Sequence, residues 1–82
     1  MDIQSFINRL IEIFEEANPD TIKPQTNFRD IEGYSSLEAF LIISMVMDVY
    51  KITFCGDDIR ESVTVEDIFS IVESRMLKSE NE

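Results

Sequence analysis

Apolar residues recur along the first part of the chain with the spacing of an amphipathic helix. They lie three or four positions apart, at Ile3, Phe6, Ile7, Leu10, Ile11 and Phe14. Asp2 can cap the start of this helix, and Pro19 disfavours helical geometry at the residue before it. The pattern predicts a first helix over residues 3–17.

A second apolar pattern runs from Leu37 to Lys51 and is unusually broad. One face of the predicted helix holds its core residues, Ala39, Ile42, Ile43, Val46 and Tyr50. Three more apolar residues fall at the edges of that face or beyond it, namely Leu41, Met45 and Met47. The surplus indicates either deeper burial or a face that contacts partner proteins, and the pattern fits both equally.

The segment between these helices, residues 18–34, is a long loop with two prolines. A loop of this length in a small domain needs apolar anchors, and Ile22, Phe28 and Ile31 are the predicted ones. Gly33 predicts a turn into the second helix. After that helix, residues 52–54 have a short strand-like character, and one helical turn is predicted over residues 57–61 with Ile59 facing inward.

The last apolar pattern predicts a helix that begins after Thr64 and ends near Leu77. Thr64 and Asp67 have the spacing of a capping box, with Asp in place of the usual Glu. The core residues follow at Val65, Ile68, Phe69, Ile71, Val72 and Met76. Residues 78–82 form a polar tail that we expect to be frayed. The predicted fold is all-α: a small antiparallel four-helix bundle with three main helices and one short helix, in one domain over residues 1–82 with an ordered core of about 3–77.

Composition and charge exclude several classes of protein. The chain has 82 residues and a net charge of −10, which disfavours nucleic-acid binding because that binding depends on Lys and Arg. No apolar run approaches the ~20 residues of a membrane span. The first residues lack the pattern of a secretory signal, and Cys55 is the single cysteine. We therefore expect an intact chain from Met1, a cytoplasmic location, no membrane association and, given the charge, a monomer.

The residue types that most enzymes need are missing. There is no His to act as a base near neutral pH, and no second Cys for a thiol pair or a zinc site. Carboxylates alone could serve as acid and base, but 82 residues offer little cleft around them. We predict no catalytic residues and no metal site.

The start of the second helix holds the most informative local chemistry. Ser35 is predicted to be the N-cap, its oxygen accepting a backbone N–H of the first turn while Glu38 reaches back. Ser36 is then the first helical residue and has a hydroxyl that the helix does not need. A phosphate on Ser36 would be favoured by the partial positive charge of the helix N-terminus. From these residues alone, a purely structural capping role is the simpler interpretation.

The context of these serines resembles the attachment motif of acyl carrier proteins. In that family Asp-Ser-Leu follows a Gly-containing loop and opens helix II, and here the tripeptide is Ser35-Ser36-Leu37. The resemblance covers roughly residues 3–76. It includes the loop residues Phe28, Ile31 and Gly33, the helix II core at Leu37, Ile42, Val46 and Tyr50, the pair Asp57-Asp58 before a short helix, and Thr64-Val65 at the start of the last.

This resemblance implies a function and a cofactor. Ser36 would carry 4′-phosphopantetheine, transferred from coenzyme A by a phosphopantetheinyl transferase, and the arm's thiol would hold acyl groups as thioesters. Acyl-loading and ketosynthase-type enzymes of fatty-acid or polyketide-type biosynthesis would be the partners. The protein itself would be a non-catalytic carrier.

The chain departs from the family pattern in two places. Ser35 replaces the usual Asp, which puts the identity of the transferase in doubt. Helix II has few of the acids that usually meet basic patches on partner enzymes. The predicted partner-binding residues are therefore a mixed set: Ser35, Leu37, Glu38, Leu41, Met45, Met47, Asp48, Asp57 and Asp58. We expect a contact face that is more apolar than usual, with acids nearby to steer encounter and with specialised enzymes as partners.

Other functions stay open at this point. An aminoacyl or peptidyl carrier is an alternative within the same class, although the net charge fits the fatty-acid and polyketide side better. An unmodified helical adaptor, which binds a partner through the second helix, is an alternative from another class. The cluster of Asp57, Asp58 and Glu61 is predicted to be a solvated face plus an N-cap, and it lacks the ligand pattern of an EF-hand loop. Cys55 is predicted to be a plain thiol without a redox role.

Overall fold

Four α helices make up the computed structural model, which describes residues 2–80 and, in the last helix, side chains as far as Lys78. The helices are α1 (Ile3–Ile13), α2 (Ser36–Tyr50), α3 (Gly56–Glu61) and α4 (Val65–Glu80), with 3₁₀ turns at Pro19–Thr21 and Phe28–Asp30. Residues 2–80 contain no β-strand, so the predicted all-α class is confirmed. The radius of gyration is 12.0 Å, the value expected for a compact chain of this length.

Helix α1 ends four residues before the predicted boundary. Phe14 follows its last residue with φ −92° and ψ 70°, and donates its N–H to the Leu10 carbonyl at 2.9 Å. The Phe14 ring stacks on Tyr34 with ring centroids 6.4 Å apart. Both Phe14 and Ala17 remain buried after the helix has ended. The prediction of a helix through residue 17 is wrong because the apolar spacing continues through a non-helical turn that still faces the core.

The long loop is anchored as predicted. Ile22, Phe28 and Ile31 are all buried. The loop is also fastened to the start of α4, because Val65 donates its N–H to the Thr26 carbonyl at 3.0 Å. An isolated bridge between Asn27 and Thr64 lies next to this bond. The loop is therefore a packed part of the fold, and it delivers the chain to the first turn of α2.

One hydrophobic core joins the four helices and the loop. Its buried residues are Phe6, Ile7, Leu10, Phe14, Ala17, Ile22, Phe28, Ile31, Ile42, Val46, Phe54, Ile59, Val65, Ile68, Phe69 and Val72. In α2 the predicted core face is confirmed, since Ile42 and Val46 are fully buried and Ala39, Ile43 and Tyr50 are partly buried and pack against the core. Among the described residues, no helix has both the length and the apolar character that crossing a lipid bilayer requires.

The second half of the chain follows the predicted order of elements. Ile59 of α3 is buried, as expected, whereas residues 52–54 form no strand. Thr64 and Asp67 cap α4 reciprocally: the Asp67 N–H donates to Thr64 Oγ1 at 3.1 Å, and the Thr64 N–H donates to Asp67 Oδ2 at 3.0 Å. Helix α4 continues to Glu80, so the predicted end near Leu77 is wrong. Residues 81 and 82 of the predicted frayed tail lie outside the described residues.

Candidate functional site

The turn before α2 sets the position of its first serines. Gly33 has φ +91°, a left-handed conformation that residues with a Cβ rarely adopt. Ser35 is extended, and its Oγ accepts the Leu37 N–H at 3.2 Å. The Ser35 hydroxyl donates in turn to the Glu38 carboxylate. Ser35 is therefore the N-cap, as predicted, and Glu38 reaches back to its hydroxyl rather than to its backbone N–H.

Ser36 is the first residue of α2 and is exposed to solvent. Among the side chains that the structure describes, as far as Lys78, none bonds to its hydroxyl, and the capping bonds are made by Ser35. The first N–H groups of a helix have no partner inside the helix, and together they favour a negative group at this end. Ser36 thus combines an accessible, unengaged hydroxyl with a setting that suits a phosphate ester.

A cleft of about 350 Å³ opens beside Ser36. It lies between α2 and α3, and its lining residues are Arg29, Tyr34, Ser36, Ala39, Phe40, Ile43, Gly56, Ile59 and Arg60. Most of this lining is apolar, and the two arginines are its cationic members. A second, smaller cavity of about 120 Å³ lies near Gly33 and is lined by Ile13, Phe14, Glu15, Glu16, Glu32 and Glu38 as well. The hydroxyl of Ser36 therefore adjoins an apolar cleft, with acids on the other side of the turn.

The surface of α2 carries an exposed apolar stripe formed by Leu37, Phe40, Leu41 and Met47. Leu37 is 60% exposed and Phe40 62% exposed, and the exposed fractions of Leu41 and Met47 are 37% and 44%. At 100° per residue Leu37 and Leu41 lie on the side of α2 that faces away from the core, whereas Phe40 and Met47 lie on its flank, next to Ile43. The structure thus places three predicted partner-binding residues together at the surface. Met45, in contrast, is half-buried and packs against the core, so it contributes little to this stripe.

Two of the predicted acids accompany this face. Asp48 is exposed and lies 4.0 Å from the Lys51 ammonium, and exposed Asp57 pairs with Arg60. Both pairs are surface ion pairs of the kind that contributes little to stability, so these charges remain accessible to a partner.

Asp58 is different: of the predicted solvated face and N-cap, it contributes to the cap of α3 and is not solvated. Its side chain is 9% exposed and receives two hydrogen bonds from Arg75, at 2.7 Å to Oδ2 and 2.8 Å to Oδ1. Oδ2 also accepts the Cys55 N–H at 2.9 Å, which caps the start of α3. These bonds, above all those from Arg75, lower the pKa of Asp58 from 3.8 to about 2. Asp58 is therefore buried and bonded within the fold, unlike the exposed Asp57.

Cys55 lies beside one of the acids of α3. Cys55 is a free, exposed thiol whose Sγ lies 3.5 Å from Asp58 Oδ2. Within the part of the chain that the structure describes, no three or more His, Cys, Asp or Glu side chains are arranged to hold a metal ion.

Three residues of the site were not singled out from the sequence: Phe40, Arg29 and Arg60. Phe40 follows Leu37 by three positions, a spacing that puts both on one face, but the apolar residues around α2 hide which of them is exposed. The two arginines come from a loop and from α3, and only the fold brings them to the cleft beside Ser36.

The chain matches no protein-family model and no curated protein sequence.

Proposed function

We propose that this protein is an acyl carrier protein, with 4′-phosphopantetheine attached to Ser36. The observation that carries the proposal is that two adjacent serines have different roles in the structure. Ser35 makes the capping hydrogen bond to Leu37, which leaves the exposed hydroxyl of Ser36 for esterification. The resemblance of residues 3–76 to that family supplies the identity of the group, and the antiparallel bundle of that family is the helix arrangement we propose.

The residues around Ser36 suit such a group. Loading would form a bond between the Ser36 oxygen and a phosphorus of coenzyme A, with loss of the hydroxyl proton and departure of the adenine nucleotide. When bound, the arm supplies a terminal thiol that holds acyl groups as thioesters. The chain's own contribution is to present the Ser36 hydroxyl at the end of α2 and to provide an apolar cleft beside it. In this proposal the protein catalyses no step itself.

The exposed stripe on α2 supports a largely apolar contact with partner enzymes. Leu37, Leu41 and Met47 are available to such partners, and Phe40 enlarges the surface that they form. Asp48 and Asp57 lie nearby as exposed acids and would steer a basic partner toward it. We propose phosphopantetheinyl transferase and acyl-loading or ketosynthase-type enzymes of fatty-acid or polyketide-type biosynthesis as the partners, and a monomeric carrier in the cytoplasm.

A second candidate function is an unmodified helical adaptor. It is favoured by one specific observation, the size of the exposed stripe, since an adaptor needs an apolar surface but no free serine. An aminoacyl or peptidyl carrier shares the modification and differs in its cargo.

The deciding experiment is intact-mass measurement after incubation with coenzyme A and a broad-specificity transferase. A carrier gains the mass of the arm, and Ser36→Ala abolishes the gain. Ser35→Ala serves as the matched control and keeps the gain, because it removes the neighbouring hydroxyl and leaves Ser36 in place. An adaptor gains no mass in any of the three proteins, which would refute the carrier proposal. Loading the modified protein with acyl or aminoacyl groups by their respective activating enzymes separates the two kinds of carrier.

A further inference from the structure

The cleft beside Ser36 contains two arginines with very different surroundings. Arg29 makes structural hydrogen bonds. Its Nη1 donates to the Ser62 carbonyl at 2.7 Å, and its Nη2 donates to the Ile59 carbonyl at 2.9 Å. Its guanidinium carbon also lies 4.6 Å from the centre of the Phe28 ring. These contacts hold the end of α3 against the loop, so Arg29 has little freedom to bind anything else.

Arg60 is the available cation of the cleft. Its side chain is 72% exposed, and within residues 2–80 its one ion pair is with Asp57, itself an exposed residue of the first turn of α3. Exposed pairs three residues apart contribute at most about 1 kcal/mol, so a stronger partner can displace Asp57.

The backbone of α3 leaves space for the Arg60 side chain at the cleft wall. Gly56 lines the same cleft, and a Cβ added there would lie 3.4 Å from Arg60 Nη1. The Arg60 guanidinium therefore lies close to Gly56, and both residues belong to the wall that α3 contributes to the cleft. Since Ser36 lines this cleft too, Ser36 and Arg60 border the same cleft of about 350 Å³.

We propose that Arg60 binds the phosphate group of an ester on Ser36. Guanidinium groups pair with phosphate oxygens through two parallel hydrogen bonds, which gives geometric specificity as well as charge neutralisation. The inference rests on the proposed function in one respect, because it takes Ser36 as the residue that carries the phosphate. The chemistry is the same for a monoester and for the diester of a phosphopantetheine arm.

In a chain of this net charge, the contact between Arg60 and the phosphate reduces electrostatic repulsion. Lys and Arg number 7 against 17 Asp and Glu, so a further negative charge is added to an already anionic surface. Glu38 lies two residues beyond Ser36, and Asp57 lies beside Arg60. Arg60 offsets the repulsion between a phosphate on Ser36 and these two carboxylates. The Tyr34 phenol and Arg29 complete the polar groups that line the cleft.

The test uses the full chain with phosphoserine installed at position 36 through an expanded genetic code, so that it needs no transferase. Titration followed by ³¹P NMR gives the second pKa of the phosphate. A nearby cation favours the dianion and lowers this pKa, so Arg60→Gln is expected to raise it by about 0.5 units. Arg60→Lys, which keeps the charge without the planar fork, is expected to raise it by less.

Arg9→Gln is the matched control, since it makes the same change in net charge. The charge of Arg9 acts on Tyr50, which lies 14 residues and therefore ~21 Å along α2 from Ser36. We expect Arg9→Gln to leave the phosphate pKa unchanged. Equal pKa values in the wild-type and Arg60→Gln proteins would overturn the inference.

A second experiment identifies the source of the phosphate. The unmodified protein is treated with coenzyme A and a broad-specificity transferase, and the ³¹P shift of the diester is compared between wild type and Arg60→Gln. A pKa change without any mass gain means that Arg60 binds a monoester and that the carrier proposal fails. A mass gain with no dependence of either ³¹P measurement on Arg60 means that the carrier proposal stands and this inference fails.

Discussion

Arg75 of α4 binds Asp58 of α3 through both of its terminal nitrogens, with N–O distances of 2.7 and 2.8 Å. The same guanidinium donates to the Thr53 carbonyl at 3.0 Å, just before α3 begins. At the other end of α3, Arg29 donates to the carbonyls of Ile59 and Ser62. Two arginines from outside thus fix both ends of a six-residue helix.

The Asp58–Arg75 pair makes stability depend on pH in the acid range. The folded-state pKa of Asp58, about 2, lies below its ordinary 3.8, so the stabilisation is complete above pH 3.8 and is lost as the pH falls toward 2. The shift corresponds to about 2 kcal/mol. We expect Asp58→Asn to lower the free energy of unfolding by about that amount at pH 7, measured by urea denaturation. The gap between the two proteins should close between pH 4 and pH 2. A difference in the free energy of unfolding that stays constant with pH would contradict this prediction. An equal loss of stability in the exposed control Asp57→Asn would contradict it as well.

The two serines at the start of α2 should have opposite sensitivities to substitution. Ser35→Ala removes the N-cap and is expected to cost about 1 kcal/mol of stability. Ser36→Ala removes a hydroxyl that makes no hydrogen bond within the described structure, and it should leave the melting temperature nearly unchanged. Thermal unfolding followed by circular dichroism measures both. A large fall in the melting temperature of Ser36→Ala would mean that the cap has been assigned to the wrong serine.

Adjacent positions of α2 should respond differently to a buried charge. Val46 is fully buried, and Val46→Asp places an unpaired carboxylate in the core, which should unfold the protein. Met47→Asp introduces the same charge one residue further on, where the side chain is exposed, and should remain folded. Far-ultraviolet circular dichroism at 25 °C distinguishes the two outcomes. Loss of helix in both variants would mean that the outer side of α2 is buried as well.

The exposed stripe of α2 should govern partner binding through apolar contact. With a phosphopantetheinyl transferase as the partner, Phe40→Ala and Leu41→Ala are expected to raise KM several-fold, because each removes apolar area from the interface. Asp48→Asn, which changes an exposed charge on the same helix, should have a smaller effect. Added salt should weaken binding only modestly, since screening acts on charges. A steep loss of affinity with salt would show that the interface is electrostatic.

The sequence predicts the helices of this fold well, because apolar periodicity reports which residues face the core. It predicts their ends less well for the same reason. Phe14 and Ala17 continue the pattern of α1 although the backbone has left the helix, since burial does not require helical hydrogen bonding. The start of α2 was predicted to within one residue, because Ser35 has the chemistry of a cap.

Features that depend on contacts between residues far apart in the chain could not be predicted from the sequence. Asp58 and Asp57 are indistinguishable in the chain, and only the approach of Arg75, seventeen positions away, makes one of them structural. Phe40 is 62% exposed and lines the cleft beside Ser36, and only the packing of α3 against α2 brings it there. The attachment of an arm to Ser36 and the choice of partners remain predictions.

The tie from Arg75 to α3 also has a consequence for synthesis on the ribosome. A helix of six residues is too short to hold itself together in water. Arg75, which anchors the start of α3, lies well into α4. The wall of the cleft opposite Ser36 therefore lacks this anchor until almost the entire polypeptide has emerged. A chain truncated before position 75 would therefore lack the contacts that fix the start of α3 and keep only those that Arg29 makes at its end.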